Sequence, residues 1–136
     1  MALSPVAYAI EYPWLSAGNN FSNRPYSFIS VHGPSGKVDL WALVDSGADY
    51  LQLEDTIAHS IGLGSTLASA PSATVTVSSG ATVSMKLLSG VRVTIESTTV
   101  LVDVLFSPAP SDALLGRTGF LAAIDVGVHS SGWMFK

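Results

Sequence analysis

Cysteine is absent from this chain of 136 residues. That excludes disulfide bridges and thiolate chemistry, and it leaves the redox compartment open. Charge is scarce: Asp, Glu, Lys and Arg make up 12% of the residues, against about a quarter in typical soluble domains. Lys and Arg together number 6, nowhere clustered, and the net charge is −4. With no basic patch to contact phosphates, nucleic acid is not an expected partner. The three histidines, His32, His59 and His129, fall at no metal-ligand spacing. No metal or organic cofactor is expected. No apolar run approaches the ~20 residues of a membrane-spanning helix, so no integral membrane segment is expected. The N-terminus shows neither a basic n-region nor a long apolar h-region, so no signal peptide is expected. A cytoplasmic location is favoured, with processing from a precursor left open. Missing too are a Gly-x-Ser-x-Gly elbow, a P-loop and a dinucleotide fingerprint. Asp39, Asp45 and Asp49 are spaced too widely for an EF-hand loop.

What is plentiful is apolar and β-forming. Hydrophobic residues reach 48%, and Gly, Ser, Thr and Val are frequent, a mix that suits short strands and turns. The length allows one domain with one modest core. An apolar, weakly charged chain has surface to cover, and a second copy is the simplest cover. Strands are expected at Val6–Ile10, Tyr26–Val31, Lys37–Val44 and Leu51–Leu53, with a loop at Ser16–Asn20 and a turn at Gly33–Gly36. Glu54–Ile61 carries acidic residues at its start and apolar residues at helical spacing, and Gly62 stands where it would stop. After Pro71, Thr74–Val77 and Thr82–Met85 alternate with period two around a tip at Ser78, Ser79, Gly80 and Ala81, which predicts a hairpin. Val91–Ile95 and Val100–Phe106 form a further strand pair, Ala113–Leu115 a short buried strand, and Gly119–Ala123 a short helix. Ile124–Val128 and Trp133–Phe135 read as a terminal hairpin. The fold class expected is all-β: a small closed β-barrel with one or two short helices.

The most informative segment is Asp45-Ser46-Gly47-Ala48-Asp49, which follows the apolar run Leu40–Val44. A carboxylate on a tight Ser-Gly turn after a core strand is costly to hold, and such carboxylates are usually used. Asp, Ser and Gly also favour ordinary turns, so the triplet alone decides little. Downstream stands Ala113-Leu114-Leu115-Gly116-Arg117.

Taken in order, these motifs resemble the retropepsin-like aspartic proteases. Leu43-Val44-Asp45-Ser46-Gly47-Ala48 is similar to the family's hydrophobic-hydrophobic-Asp-Thr/Ser-Gly-Ala motif. Leu114-Leu115-Gly116-Arg117 is similar to its hydrophobic-hydrophobic-Gly motif, often followed by Arg. The likeness covers roughly residues 25–125, and residues 25–136 are taken as the protease domain. Residues 1–24 stand as an N-terminal extension or interface strand. The resemblance implies an acid-protease-type barrel, a homodimer and an extended peptide substrate. It implies Asp45 as the catalytic aspartate, Ser46 as the residue joining the two loops across the dyad, and Gly47 as the point of close backbone approach. Asp49 would pair with Arg117, brace the loop and touch substrate backbone. Leu115 and Gly116 would support it from below. Leu43, Ala48, Tyr50, Gln52, Val77 and Leu114 would line pockets, and Ser78, Ser79 and Gly80 would form a flap tip. The helix after the Asp loop and the Ser-rich tip look more like cellular and bacterial members than viral ones. Aspartic proteolysis needs two carboxylates sharing one proton. One Asp-Ser-Gly per chain leaves the second to a symmetric partner. The alternative is a catalytically idle peptide-binding or dimerisation module on the same fold. A third reading is a zymogen-like domain, silent until a precursor is processed.

Overall fold

The computed structural model describes residues 10–13, 15–16, 23–24, 26–45, 47–77, 79–95, 98–118, 126–129 and 132–135. Val6–Ala9 of the expected first strand, part of the expected loop at 17–20, and the expected helix Gly119–Ala123 lie outside them, as do Ser46 and Ser78.

The chain is mostly β with two short helices among the described residues. In order come β1 (Ile10–Pro13), β2 (Leu15–Ser16), β3 (Asn23–Arg24), β4 (Tyr26–Gly33), β5 (Gly36–Val44) and β6 (Leu51–Glu54). Then follow α1 (Asp55–Ser60), α2 (Gly64–Ala68), β7 (Ser72–Thr76), β8 (Thr82–Ile95), β9 (Thr98–Ser107) and β10 (Leu114–Leu115). The last pair is β11 (Val126–His129) and β12 (Gly132–Phe135).

A seven-stranded sheet runs in the order β4-β5-β10-β6-β9-β8-β7, and β8 also pairs with β4, from Ile29↔Ile95 to His32↔Arg92. Period-two patterning explains which face each strand buries. On β4, Ser27, Ile29 and Val31 turn inward, while Phe28 faces out beside Trp41 of β5 with ring centroids 5.0 Å apart. β9 ends in the continuous buried run Val104–Ser107, the signature of a strand covered on both faces. Its register with β6 is parallel, Leu51↔Val104 to Glu54↔Ser107. Leu51, Leu53, Val31, Val104, Phe106 and Leu115 lie within 1% of complete burial and form the centre of the core.

Three expectations are refined. The helix begins at Asp55, because Glu54 is still paired in β6. A second helix, α2, follows at once, although Gly64, Ser65 and Thr66 are weak helix formers; it forms around buried Leu67. The segments Thr82–Met85 and Val91–Ile95, expected as two strands, belong to one strand of 14 residues. A bulge between Leu88 and Val91 interrupts its register with β9, and Gly90 adopts φ +72° there, a left-handed conformation open to glycine. In sequence, Ser89-Gly90 mimics a turn.

At the chain's ends, β1 pairs antiparallel with β12, and β12 with β11, in a separate three-stranded sheet. The strands of the expected terminal hairpin therefore pair from Val126 to Phe135, with the N-terminal strand added to them, while residues 124–125 and 130–131 lie outside the described residues.

Candidate functional site

The site is built where β5 ends. β10 lies parallel to β5, with Leu114 beside Leu43 and Leu115 beside Val44. It is also hydrogen-bonded to β6 on its other side, Leu114 opposite Gln52. A two-residue strand is thus wedged between the strands that enter and leave the Asp45 loop. Its backbone carries the loop directly: the Leu43 N–H donates to the Ala113 carbonyl at 2.8 Å, and the Asp45 N–H to the Leu115 carbonyl at 3.0 Å. Past β10 the chain crosses beneath the loop. The Arg117 N–H donates to the Ala48 carbonyl at 2.9 Å, and the Thr118 N–H to the Asp49 carbonyl at 2.6 Å.

That crossing requires glycine at position 116. A β-carbon there would stand 2.2 Å from the Tyr50 carbonyl oxygen and 2.7 Å from its nitrogen. Both are backbone atoms with no rotamer to escape into. Gly116 is buried and Leu115 completely so. The four residues of this motif thus have separable physical duties. Leu114 and Leu115 pair and fill, Gly116 admits the crossing, and Arg117 closes it with its backbone.

Within the loop, the Gly47 N–H donates to Asp45 Oδ1 at 2.8 Å, and the Ala48 N–H to the Asp45 carbonyl at 3.2 Å. The first bond holds the carboxylate in one orientation while leaving its other oxygen without a partner among the described residues. The Arg117 guanidinium contacts Asp49 Oδ1, as expected from sequence. Their side chains are 61% and 71% exposed, however, so the pair lies in solvent and contributes about 1 kcal/mol or less. In the single chain the loop is braced by backbone hydrogen bonds rather than by this charge pair.

Asp45 opens onto a cleft of about 660 Å³. Of the residues expected at the site, Gly47, Ala48, Asp49, Tyr50, Gln52, Val77 and Leu114 join Asp45 in lining it. The far wall is β7, through Ala73, Thr74, Val75 and Thr76. β7 is the last strand of its sheet, paired only with β8 among the described residues. Its free edge therefore offers backbone donors and acceptors along the cleft.

Other expected residues stand elsewhere. Leu43 is half-buried between Tyr26 and Leu114 and is not among the lining residues. Ser79 and Gly80 are exposed at the tip of the β7–β8 hairpin, where the Val77 N–H donates to the Ala81 carbonyl and the Gly80 N–H to the Val77 carbonyl, both at 2.9 Å. Sequence reasoning missed Ala73, Thr74, Val75 and Thr76 on the far wall, and Leu105, Ser111 and Asp112 elsewhere in the cleft wall. The signal available was adjacency: Ser111 and Asp112 immediately precede the strand that carries Leu114.

Neither His32 nor His59 takes part in the cleft. His32 Nε2 bonds Thr94 Oγ1 at 2.9 Å, and His59 lies against Gly64. Among the described residues, no group of three or more His, Asp or Glu side chains is placed to hold a metal. No family model matches the chain, and no curated protein matches it.

Proposed function

We propose that this chain is a homodimeric aspartic endopeptidase of retropepsin type. The observation that carries the reading is the wedge of β10 between β5 and β6, with the chain after it crossing under Asp45–Tyr50. This construction fixes the Asp45 carboxylate, held by the Gly47 N–H, at the floor of a cleft walled by a free strand edge. The β8–β4 pairing supports the finer description of the fold as a small closed acid-protease-type barrel.

In the dimer, Asp45 and its symmetry mate face one water and share one proton. The ionised carboxylate takes a proton from the water as the oxygen attacks the peptide carbonyl carbon. The protonated carboxyl gives its proton to the carbonyl oxygen, and a tetrahedral diol forms. Collapse of the diol breaks the C–N bond, and the leaving nitrogen takes up the proton. The substrate lies extended, bonding to the β7 edge through its backbone, with alternate side chains turned towards the cleft walls.

The test is Asp45→Asn, a nearly isosteric change that removes the ionisable group from both halves of the dyad. Cleavage of a peptide library should fall to the uncatalysed level while the melting temperature and sedimentation stay unchanged. Wild-type turnover by Asp45→Asn would reject the reading. Peptide binding by the wild type without cleavage would favour the idle module. Specific activity should fall on dilution, as the dimer dissociates. Full specific activity in a sedimenting monomer would transfer the second carboxylate to the same chain, where Asp112 lines the same cleft.

A further inference from the structure

Glu54 stands where two elements meet, as the last residue of β6 and the residue before α1. We propose that Glu54 is a positioning residue for the peptide: its carboxylate holds the loop between β9 and β10, residues 108–113, so that Ser111 and Asp112 stand in the cleft wall. The proposal rests on the reading of the cleft as a peptide site.

That loop has little to hold itself with. Its sequence is Pro108-Ala109-Pro110-Ser111-Asp112-Ala113, and the two prolines carry no N–H. None of its residues belongs to a helix or strand. Two of its N–H groups are met by side chains from outside it. The Ala109 N–H donates to Ser107 Oγ at 3.3 Å, and the Ser111 N–H to Glu54 Oε1 at 3.1 Å. Ser107 and Glu54 are themselves partners in the parallel register of β9 with β6. The loop is therefore pinned to both members of one strand pair.

The Glu54 carboxylate is not engaged as a helix cap. A polar side chain at this position ordinarily serves the unpaired N–H groups of the first turn, but Glu54 makes no capping hydrogen bond. Its Oε2 accepts the Thr56 hydroxyl at 3.2 Å instead. The base from which it reaches is firm. Leu51 and Leu53 of β6 are fully buried, and β6 is paired on both sides, with β9 and β10. A hydrogen bond to an ionised acceptor is also stronger than a neutral one. Glu54 does not line the cleft, whereas Ser111 and Asp112 do. It therefore acts on a peptide only through the loop. Past Ala113 the chain is held by the β10 ladder and the Gly116 crossing, which carry Asp45. Loss of the Glu54 contact loosens the wall and leaves the floor in place. The signature is weaker peptide binding with the chemical step intact.

The test follows the Ser111 amide and peptide turnover in the full chain. Hydrogen exchange at that amide, measured by NMR, should quicken about fivefold in Glu54→Ala, the size of one net hydrogen bond. Glu54→Gln keeps an acceptor oxygen at the same reach and should restore slow exchange. For a library peptide that the wild type cleaves, Glu54→Ala should raise KM and leave kcat, and Glu54→Gln should bring KM back. Thr56→Ala removes only the contact at the helix start and should change neither exchange nor KM. Circular dichroism confirms that each variant is folded. Unchanged Ser111 exchange in Glu54→Ala, an equal fall in kcat and kcat/KM, or an equal effect of Thr56→Ala overturns the proposal. If the wild type cleaves nothing, the endopeptidase reading falls, and retention of randomised decapeptides on the immobilised chain takes the place of KM. Weaker retention by Glu54→Ala than by the wild type then keeps the positioning role. Equal retention, or none by either chain, removes it.

Discussion

The two walls of the cleft are built on opposite plans. The floor, Asp45 to Tyr50, is held from below by β10 and the crossing at Gly116, through four backbone hydrogen bonds of 2.6–3.0 Å. Among the described residues, the opposite wall, β7 and the hairpin tip, has one neighbouring strand, β8, and buries no residue completely: its pattern alternates exposed and half-exposed positions from Ser72 to Thr76. A reacting group needs a fixed position, and residues locked by packing supply it. A wall that receives an extended chain needs unpaired backbone and room to adjust. The same sheet provides both because its order places the Asp45 loop beside its interior strands and β7 at its rim.

The comparison breaks most sharply at glycine. Gly116→Ala puts a β-carbon against backbone at 2.2 Å, so the crossing must open. We expect a loss of about 3 kcal/mol or more, at the upper end for overpacking in a tight site, and peptide cleavage should be lost with it. At Gly80, on the tip, a β-carbon would meet nothing within 4 Å, but the backbone φ is +87°. Gly80→Ala should therefore cost about 1 kcal/mol, from backbone conformation alone. Urea denaturation of the two variants measures both. Equal losses would show that floor and wall are held alike.

Side-chain truncation gives the next smaller contrast. Leu115 is fully buried under the loop, and Leu115→Ala should cost about 2–5 kcal/mol. Val75, half-exposed on β7, should cost about 1 kcal/mol or less on truncation to Ala, since little of it leaves water on folding. A Val75→Ala loss matching that of Leu115→Ala would make the wall part of the core.

These contrasts also explain what is legible in the sequence. The floor is legible because its constraints are local and exclusive. An Asp-Ser-Gly turn after an apolar strand, and a glycine where two backbones cross, leave few other residue choices. The strands around them are legible from alternation. The wall is only half legible. The Thr–Val alternation of β7 announces a strand but not that its free edge faces Asp45, which depends on the order of seven strands. β8 reads as two strands because a bulge at Ser89-Gly90 and a turn use the same residues. α2 escapes because tertiary packing of Leu67 outweighs the weak propensity of Gly64, Ser65 and Thr66. Asp112 escapes because its place in the cleft is a product of the fold, with no spacing to Asp45 that chemistry prescribes.

Smaller still is the expected effect of the charge pair at the floor. Arg117 and Asp49 touch, yet both side chains are largely in solvent. Arg117→Ala should cost about 1 kcal/mol or less, because the Arg117 N–H bond to Ala48 is unaffected by loss of the side chain. Asp49→Ala should cost a similar amount, and the double-mutant coupling should stay below about 1 kcal/mol. A loss of about 3–5 kcal/mol from Arg117→Ala alone would mean that the pair becomes buried in the assembled protein. Repeating the melts across a dilution series separates the two cases, since burial by a second copy makes the loss depend on concentration.

The smallest effect is expected at Asp39, on β5 but at the end remote from Asp45. The Ser30 hydroxyl donates to Asp39 Oδ1 at 2.5 Å, and Lys37 Nζ stands 3.3 Å away. The Ser30 hydrogen bond, with Lys37 and His32 adding their charge, holds the Asp39 carboxyl below its ordinary pKa. A carboxyl depressed in the folded state stabilises it above the ordinary carboxylate range, and that contribution disappears as the pH falls through the folded-state value. The group is in solvent, so the contribution is small. Asp39→Asn should lower the melting temperature slightly at neutral pH. The difference from wild type should shrink below about pH 4. Peptide cleavage should be unchanged, because the residue lies outside the cleft and outside the bracing of its floor. A melting difference constant across the acid range would show that Asp39 contributes through packing rather than charge. A fall in cleavage would mean that the rigidity of the floor extends along β5 well beyond the four hydrogen bonds that hold its loop.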